Sequence, residues 1–396
     1  MSEVQSTPVP GSSGAWSPPV GAHGIATVGR LTSRPTEGVR AFIDASFAAF
    51  ERALACDGSE HKLSTAGRTL RVRFAGSHLT RRFLPALQHL ATDAGQADLT
   101  ICCWDGNASP VAMPPPPWPS RDFVGGSRIR GHINGPVVAT YDRDGRLFQL
   151  YDRPSRRALF HVADGARLPG WHDRAPFRPF LSLWADDHGL ALLHGAAVAE
   201  GGAGLVLAGV SGSGKSTTAL RCALAGMDFL GDDACLVDPA GATVHSVYGR
   251  AKILHDAATA TAGAGAGAGA GADPDLGAGL GDVTGLGPVE RDGGDGVVLS
   301  PRRVGREATL GALLLLRVAD QRQSELSAPI PERHALEALQ VTLREENHGL
   351  TPACCQALEA VVGAVTVRRL TLGFDGTGIV EAVRSALAAS GGAGLR

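Results

Sequence analysis

Apolar residues along the chain recur with changing periods, and each change predicts a change of element. From Val39 to Cys56, Phe42, Ile43, Phe47, Phe50 and Leu54 fall at helical spacing, which predicts one amphipathic helix. Thr69 to Phe74 alternates apolar with polar, and Ala97 to Trp104 is an apolar run closed by Asp-Gly; both predict short strands. Four prolines, Pro114 to Pro117, force an extended loop. Val137 to Tyr141 and Leu147 to Tyr151 flank a turn sequence, Asp-Arg-Asp-Gly, and predict a hairpin. Helical spacing returns over Phe177 to Trp184. From Ala191 the pattern is strand, turn, strand, loop, helix, with a buried strand at Leu205 to Ala208 and a helix at Ser216 to Ala225. Met227 to Leu230 and Ala234 to Val237 predict two short strands around Asp232-Asp233. Leu310 to Val318 is a strand, apolar save for Arg317, Glu332 to Leu343 and Cys354 to Val362 are helical, Val365 to Leu372 is a strand, and Gly378 to Leu387 is a closing helix.

Two segments carry no period. Residues 1–36 are rich in Ser, Pro and Gly and predict a disordered tail, because such sequence buries too little apolar surface to offset its ordering entropy. Ala-Gly repetition from Thr261 to Ala272, continuing Gly-rich to Gly296, predicts a disordered insert over 261–296 for the same reason. Between them the pattern divides into a smaller α+β N-terminal domain, 37–175, and an α/β C-terminal domain, 176–396. The length of 396 residues accommodates both.

Charge narrows the partners. A net charge of -2 with 19% charged residues gives no global attraction to nucleic acid and favours a peptide or small-molecule partner. No apolar stretch approaches the roughly 18 residues of a membrane span. None of the seven cysteines has C-x-x-C spacing, and the N-terminal sequence has no basic region followed by an apolar run. Reduced thiols and a cytoplasmic location are therefore expected. Lysine occurs only at Lys62, Lys215 and Lys252, so the latter two, close to the chemistry below, call for a role.

The segment Gly209-Val210-Ser211-Gly212-Ser213-Gly214-Lys215-Ser216 matches G-x-x-x-x-G-K-[ST] at every fixed position, with Thr217 following, and lies between a predicted strand and a predicted helix. Glycines let backbone N–H groups close around phosphate oxygens, and the helix N-terminus adds partial positive charge. Lys215 then reaches the β and γ phosphates and Ser216 ligates magnesium. ATP and Mg2+ are the expected cofactors. Gly231-Asp232-Asp233 ends a short apolar strand, so two carboxylates stand beside the phosphates. One can accept a proton from an attacking hydroxyl while the other holds magnesium or orients the first; an Asp-Asp turn between strands is the plain alternative. His194-Gly195-Ala196 ends the strand before the loop's own strand, where His194 can tune an aspartate. In Val247-Tyr248-Gly249-Arg250-Ala251-Lys252, either Lys252 or Arg250 can pair with phosphate, and a solvated charge pair is the alternative.

The runs L-L-H-G-A-A-V, G-L-V-L-A-G-V-S-G-S-G-K-S-T-T-A-L and L-A-G-M-D-F-L-G-D-D-A-C-L-V resemble the nucleotide-binding core of the HPr kinase/phosphorylase family. The likeness is greatest to its HPr kinase-like serine kinases, some of which accompany lasso-peptide biosynthesis. Ser246, Tyr248 and Lys252 resemble that group's S-x-Y-x-x-x-K stretch. The match covers residues 190–255, about a sixth of the chain. It implies a phosphoenolpyruvate-carboxykinase-like α/β P-loop kinase core, with Asp232 as general base, Asp233 as its partner at the metal, and His194 interacting with the base. It further implies transfer of the γ-phosphoryl group to a hydroxyl, most simply a serine, of a peptide or protein such as a biosynthetic precursor peptide, and it favours self-association into a homo-oligomer. The family's E-[IV]-R-G-x-G segment is missing, which argues against phosphorylase activity and against HPr as acceptor. Two other functions use the same loop: a small-molecule kinase, and a non-catalytic or assembly P-loop ATPase. Against the transporter type of ATPase stand the absence of L-S-G-G-Q and of an apolar strand ending in Asp-Glu.

Overall fold

The first helical period forms α1 (Glu37–Leu54), opened by Thr36, whose Oγ1 accepts the Val39 N–H at 3.4 Å. A computed structural model describes residues 35–124, 127–133, 135–142, 146–253, 285–291, 297–346 and 351–391. Residues 1–34 of the expected tail lie outside the described residues, as do 261–284 and 292–296 of the expected insert.

Eight strands follow in the N-terminal part: β1 (Gly58–Thr65), β2 (Arg68–Ala75), β3 (Leu99–Asp105), β4 (Phe123–Val124), β5 (Arg128–Ile129), β6 (Val137–Asp142), β7 (Leu147–Asp152) and β8 (Arg157–Val162). They form one mixed sheet in the order β1-β2-β3-β8-β7-β6-β5-β4, with β3 parallel to both neighbours. Every residue of β3 is buried, because both faces are covered. Cys102 and Trp104 meet Phe42, Ile43 and Phe50 of α1 on one face. On the other face, Leu99, Ile101 and Cys103 meet α2 (Ser77–Leu87) and, after the short α3 (Trp171–Arg174), α4 (Arg178–Asp187). That second core also takes in Leu192, Leu236, Val247 and Tyr248, so the two halves of the chain share apolar packing.

The C-terminal part builds a nine-stranded sheet from β9 (Ala191–Leu193), β10 (Gly195–Glu200), β11 (Ala203–Ala208), β12 (Asp228–Gly231), β13 (Cys235–Asp238), β14 (Thr243–Ser246), β18 (Glu307–Val318), β19 (Glu325–Leu326) and β20 (Thr366–Leu372). The small β15 (Ala251–Ile253), β16 (Val289–Arg291) and β17 (Val297–Leu299) form a separate ribbon. Alternation along β11 divides the large sheet's faces. Leu205 and Leu207 pack under α5 (Lys215–Leu224) and α8 (Gly376–Gly391), whereas Val206 and Ala208 face α6 (Glu332–Glu346) and α7 (Pro352–Ala364). The result is a three-layer α/β/α arrangement.

β16 corrects the expected extent of the insert. Val289 to Arg291 pair antiparallel with Val297 to Leu299, within the stretch whose composition predicted disorder to Gly296. Pro288-Val289-Glu290-Arg291 follows the Ala-Gly repetition proper and has side chains and a strand partner, so it can order as a strand. No helix among the described residues is long and apolar enough to cross a membrane, and all seven cysteines are free thiols.

Three histidines of the N-terminal half, His172 buried and His89 and His161 half-buried, make stability depend on pH. Burial, assisted by the charges of Arg306, Arg146 and Arg82 respectively, lowers His89 and His161 from 6.5 to about 4 and His172 to about 3. The unfolded chain binds protons that the folded chain refuses, so this stability is complete above pH 6.5 and is lost as pH falls toward those lowered values. Chemical denaturation at stepped pH is expected to show the midpoint falling continuously from pH 6.5 to 4. A flat midpoint over that range would contradict the desolvation of these rings.

Candidate active site

Strand register brings the candidate residues to one end of the large sheet. Gly195, the first residue of β10, pairs with Ala208, the last of β11, and Ala197 pairs with Gly231, the last of β12. His194, the loop from Gly209 and Asp232 therefore emerge side by side. α5 begins directly after the loop, with Gly214 as its N-cap at φ 90°. That left-handed conformation suits glycine, and a Cβ there would lie 2.5 Å from Leu372 Cδ1. Gly231 is equally constrained: its φ is 154°, and a Cβ would lie 2.8 Å from the Tyr248 carbonyl. Bulk at either position would move the residue that follows, Lys215 in one case and Asp232 in the other.

Together these residues line a cavity of about 340 Å³. Ser211, Gly212, Gly214, Lys215, Ser216 and Thr217 form one wall; Gly209, Val210 and Ser213 complete the loop behind it. Lys215 Nζ donates to the carbonyls of Gly209 at 2.8 Å and Val210 at 3.0 Å, so the ammonium is held across the loop's mouth. Asp232, Asp233, His194 and Lys252 also line the cavity.

Asp232 is 1% exposed. Its Oδ2 accepts the Lys252 backbone N–H at 3.2 Å, and its carboxyl also accepts from the Ser216 hydroxyl and the Asp233 N–H. Burial, and next the charge of Asp233, raise it from 3.8 to about 6 against those bonds. Asp233 sits at φ 64°, a left-handed conformation that non-glycine residues seldom hold unless surroundings impose it. Two contacts impose it here. Arg174 Nε donates to its Oδ2 at 3.2 Å, and His194 Nδ1 donates to its carbonyl at 2.8 Å. A carbonyl only accepts, so His194 carries a proton on Nδ1.

The S-x-Y-x-x-x-K residues separate. Lys252 lines the cavity. Ser246 Oγ bonds His89 Nε2 at 2.7 Å and so ties the two halves of the chain together, and the buried Tyr248 hydroxyl donates to the Pro176 carbonyl just before α4 at 2.9 Å. Arg250 corrects one alternative. It is buried and donates to Glu290 at 2.7 Å and Ser300 at 3.0 Å, and it is not among the cavity's lining, so it is not placed to pair with phosphate there.

The cavity also contains residues that the sequence did not single out. Trp171, Arg174 and Arg178 come from the α3–α4 segment, and Arg221 comes from α5. Arg82 of α2 anchors that first segment, donating to Asp173 at 2.8 Å and to the Leu168 carbonyl at 3.0 Å. Their approach to the cavity follows from these tertiary contacts, and spacing along the chain gives no sign of it.

The donor chemistry fits a nucleotide with magnesium. Among the described residues no three His, Cys, Asp or Glu gather as a protein metal cage. One hydroxyl and two neighbouring carboxylates instead supply the few hard oxygens that magnesium takes when phosphates complete its shell.

No family model matches the chain, and no curated protein matches it. Among solved structures, the HPr(Ser) kinase/phosphatase of Coxiella burnetii aligns with a TM-score of 0.24 and 9% identity, covering 51% of this chain and 99% of that one. A likeness of this degree leaves family and activity to be argued from the cavity itself.

Proposed function

We propose that the chain is an ATP-dependent phosphotransferase of the HPr kinase-like kind, moving the γ-phosphoryl group to a hydroxyl, most simply a serine, of a peptide or protein. The observation that carries this reading is that the buried Asp232 and its half-buried neighbour Asp233 line the same cavity as a complete phosphate-binding loop. The loop's N–H groups and Lys215 would hold the triphosphate, and Ser216 with Asp233 would hold magnesium. Bound there, magnesium neutralises charge on the transferring phosphoryl group. The acceptor oxygen forms a bond to the γ phosphorus, the bond to the ADP oxygen breaks, and Asp232 takes the hydroxyl proton. Burial and the neighbouring Asp233 raise the basicity of this carboxylate, which suits it to take a proton better than a solvated aspartate would. His194 and Arg174 act by position, fixing Asp233 in its unusual backbone conformation.

A second reading exchanges the two aspartates. The Ser216–Asp232 bond favours it, because a carboxylate bonded to the loop's serine is well placed for the metal.

Purified protein given γ-labelled ATP, magnesium and a pool of serine-containing peptides is expected to label peptide. A matched pool with alanine for serine should stay unlabelled. Label confined to metabolites would favour a small-molecule kinase, and label released only as inorganic phosphate would favour an ATPase.

A further inference from the structure

The cavity extends past the phosphate loop to an end of different character. β11, β18 and β20 are parallel, with Ala208 opposite Leu315 and Val318 opposite Leu372, so their C-terminal ends open on one edge. Ligands of open α/β sheets lie beyond such ends. β11 delivers the phosphate loop; the ends of β18 and β20 deliver Val318 and Leu372, joined by Ile379 of α8. Leu372 touches the loop at Gly214, so the apolar wall begins where the phosphate-binding backbone stops.

Arg221 faces this wall. It lies six residues beyond Lys215 on α5, about 9 Å along the helix axis at 1.5 Å per residue. The residue is 6% exposed, and its Nε is buried with no hydrogen-bond partner among the described residues. Buried guanidinium nitrogens are normally paired. Its Cζ packs against the first residue of α8, 3.5 Å from where a Cβ on Gly376 would stand, and the charge of Asp375 supports it. A buried cation beside three aliphatic side chains, one nucleotide's length from a phosphate loop, suits a flat aromatic ring that bears hydrogen-bond acceptors.

We propose that Arg221, Val318, Leu372 and Ile379 form the seat of the nucleobase, with Arg221 stacking on the ring or donating to its nitrogens. This rests on the reading of the loop as a triphosphate site. The aliphatic wall excludes water from one face of the ring, and the guanidinium supplies a cation–π contact or N–H bonds. The opposite end of the cavity, with Trp171, Lys252 and the aspartates, is thereby left to the acceptor.

The test compares ATP with inorganic tripolyphosphate, which keeps the phosphates and lacks the base, both with magnesium. Wild type is expected to bind ATP at least tenfold more tightly than tripolyphosphate. Arg221→Met, which keeps the apolar stem, and Val318→Trp, which fills the seat from a part-exposed position, are each expected to weaken ATP about tenfold and leave tripolyphosphate within twofold. Thermal melting of both variants verifies folding, and either one suffices for the comparison. Equal wild-type affinity for the two ligands overturns the seat and spares the loop. So does unchanged ATP affinity in a folded variant, or a parallel loss of both ligands. Failure of wild type to bind either ligand overturns the loop reading together with the seat.

Discussion

Asp232→Asn is expected to reduce phosphoryl transfer by roughly 10²–10⁴-fold while ATP affinity stays within a fewfold, because the amide keeps the shape of the carboxylate and loses its capacity to take a proton. The bonds around Asp232 sharpen this expectation. The carboxyl accepts from Ser216, Lys252 and Asp233, and an asparagine oxygen can keep part of that set, so the fold around the loop should survive. Its other consequence is favourable to stability, since a buried carboxylate pushed up to about 6 is costly in its ionised form. A variant that is as stable as wild type, binds ATP and transfers nothing would place Asp232 in the proton transfer. Asp233→Asn serves as the comparison. If Asp233 is the metal-side residue, its loss should be partly recovered at raised magnesium, and the Asp232 loss should not. Recovery of the Asp232 variant instead would favour the exchanged roles.

Lys215→Met is expected to weaken ATP by about 10- to 100-fold, the scale of one or two charge-assisted hydrogen bonds. Transfer should fall further, because charge on the phosphoryl group is stabilised most strongly as it moves. Lys215 is 7% exposed and donates to the Gly209 and Val210 carbonyls. Methionine fills a similar volume but cannot donate, so those carbonyls lose a partner and the loop itself should loosen. Competition against a fluorescent ATP analogue measures the first effect and label transfer the second. Equal loss of ATP and ADP affinity would show that the lysine contacts only the phosphates they share, whereas a larger loss for ATP places it at the γ-phosphate.

Local sequence carried the parts of the site that are contiguous. The loop and the Asp232-Asp233 pair each lie within a few residues, flanked by apolar runs that become β11, α5 and β12, so spacing alone exposed them. His194 was legible as the end of an apolar run, but its bond to the Asp233 carbonyl follows from the pairing of β10 with β12. Arg174 and Trp171 were not legible, because their approach depends on Arg82, far away in the chain, clasping the segment before α4. Arg221 looked like one more polar residue on an amphipathic helix; only the ends of β18 and β20 make its burial meaningful. Elements were missed for similar reasons. β1, Gly58 to Thr65, is largely polar because it is an edge strand, and α2 contains Pro85, which obscures its helical pattern. Arg250 misled because its partner Glu290 sits beyond the Ala-Gly stretch, where no strand was expected.

The most direct measurement is a calorimetric titration of ATP into the wild-type protein, once with magnesium and once with excess chelator. One site per chain is expected, filled with magnesium present and weakened at least tenfold without it. Absence of binding in both titrations, or equal binding in both, would contradict a magnesium-nucleotide site between the Gly209 loop and the Asp232–Asp233 pair.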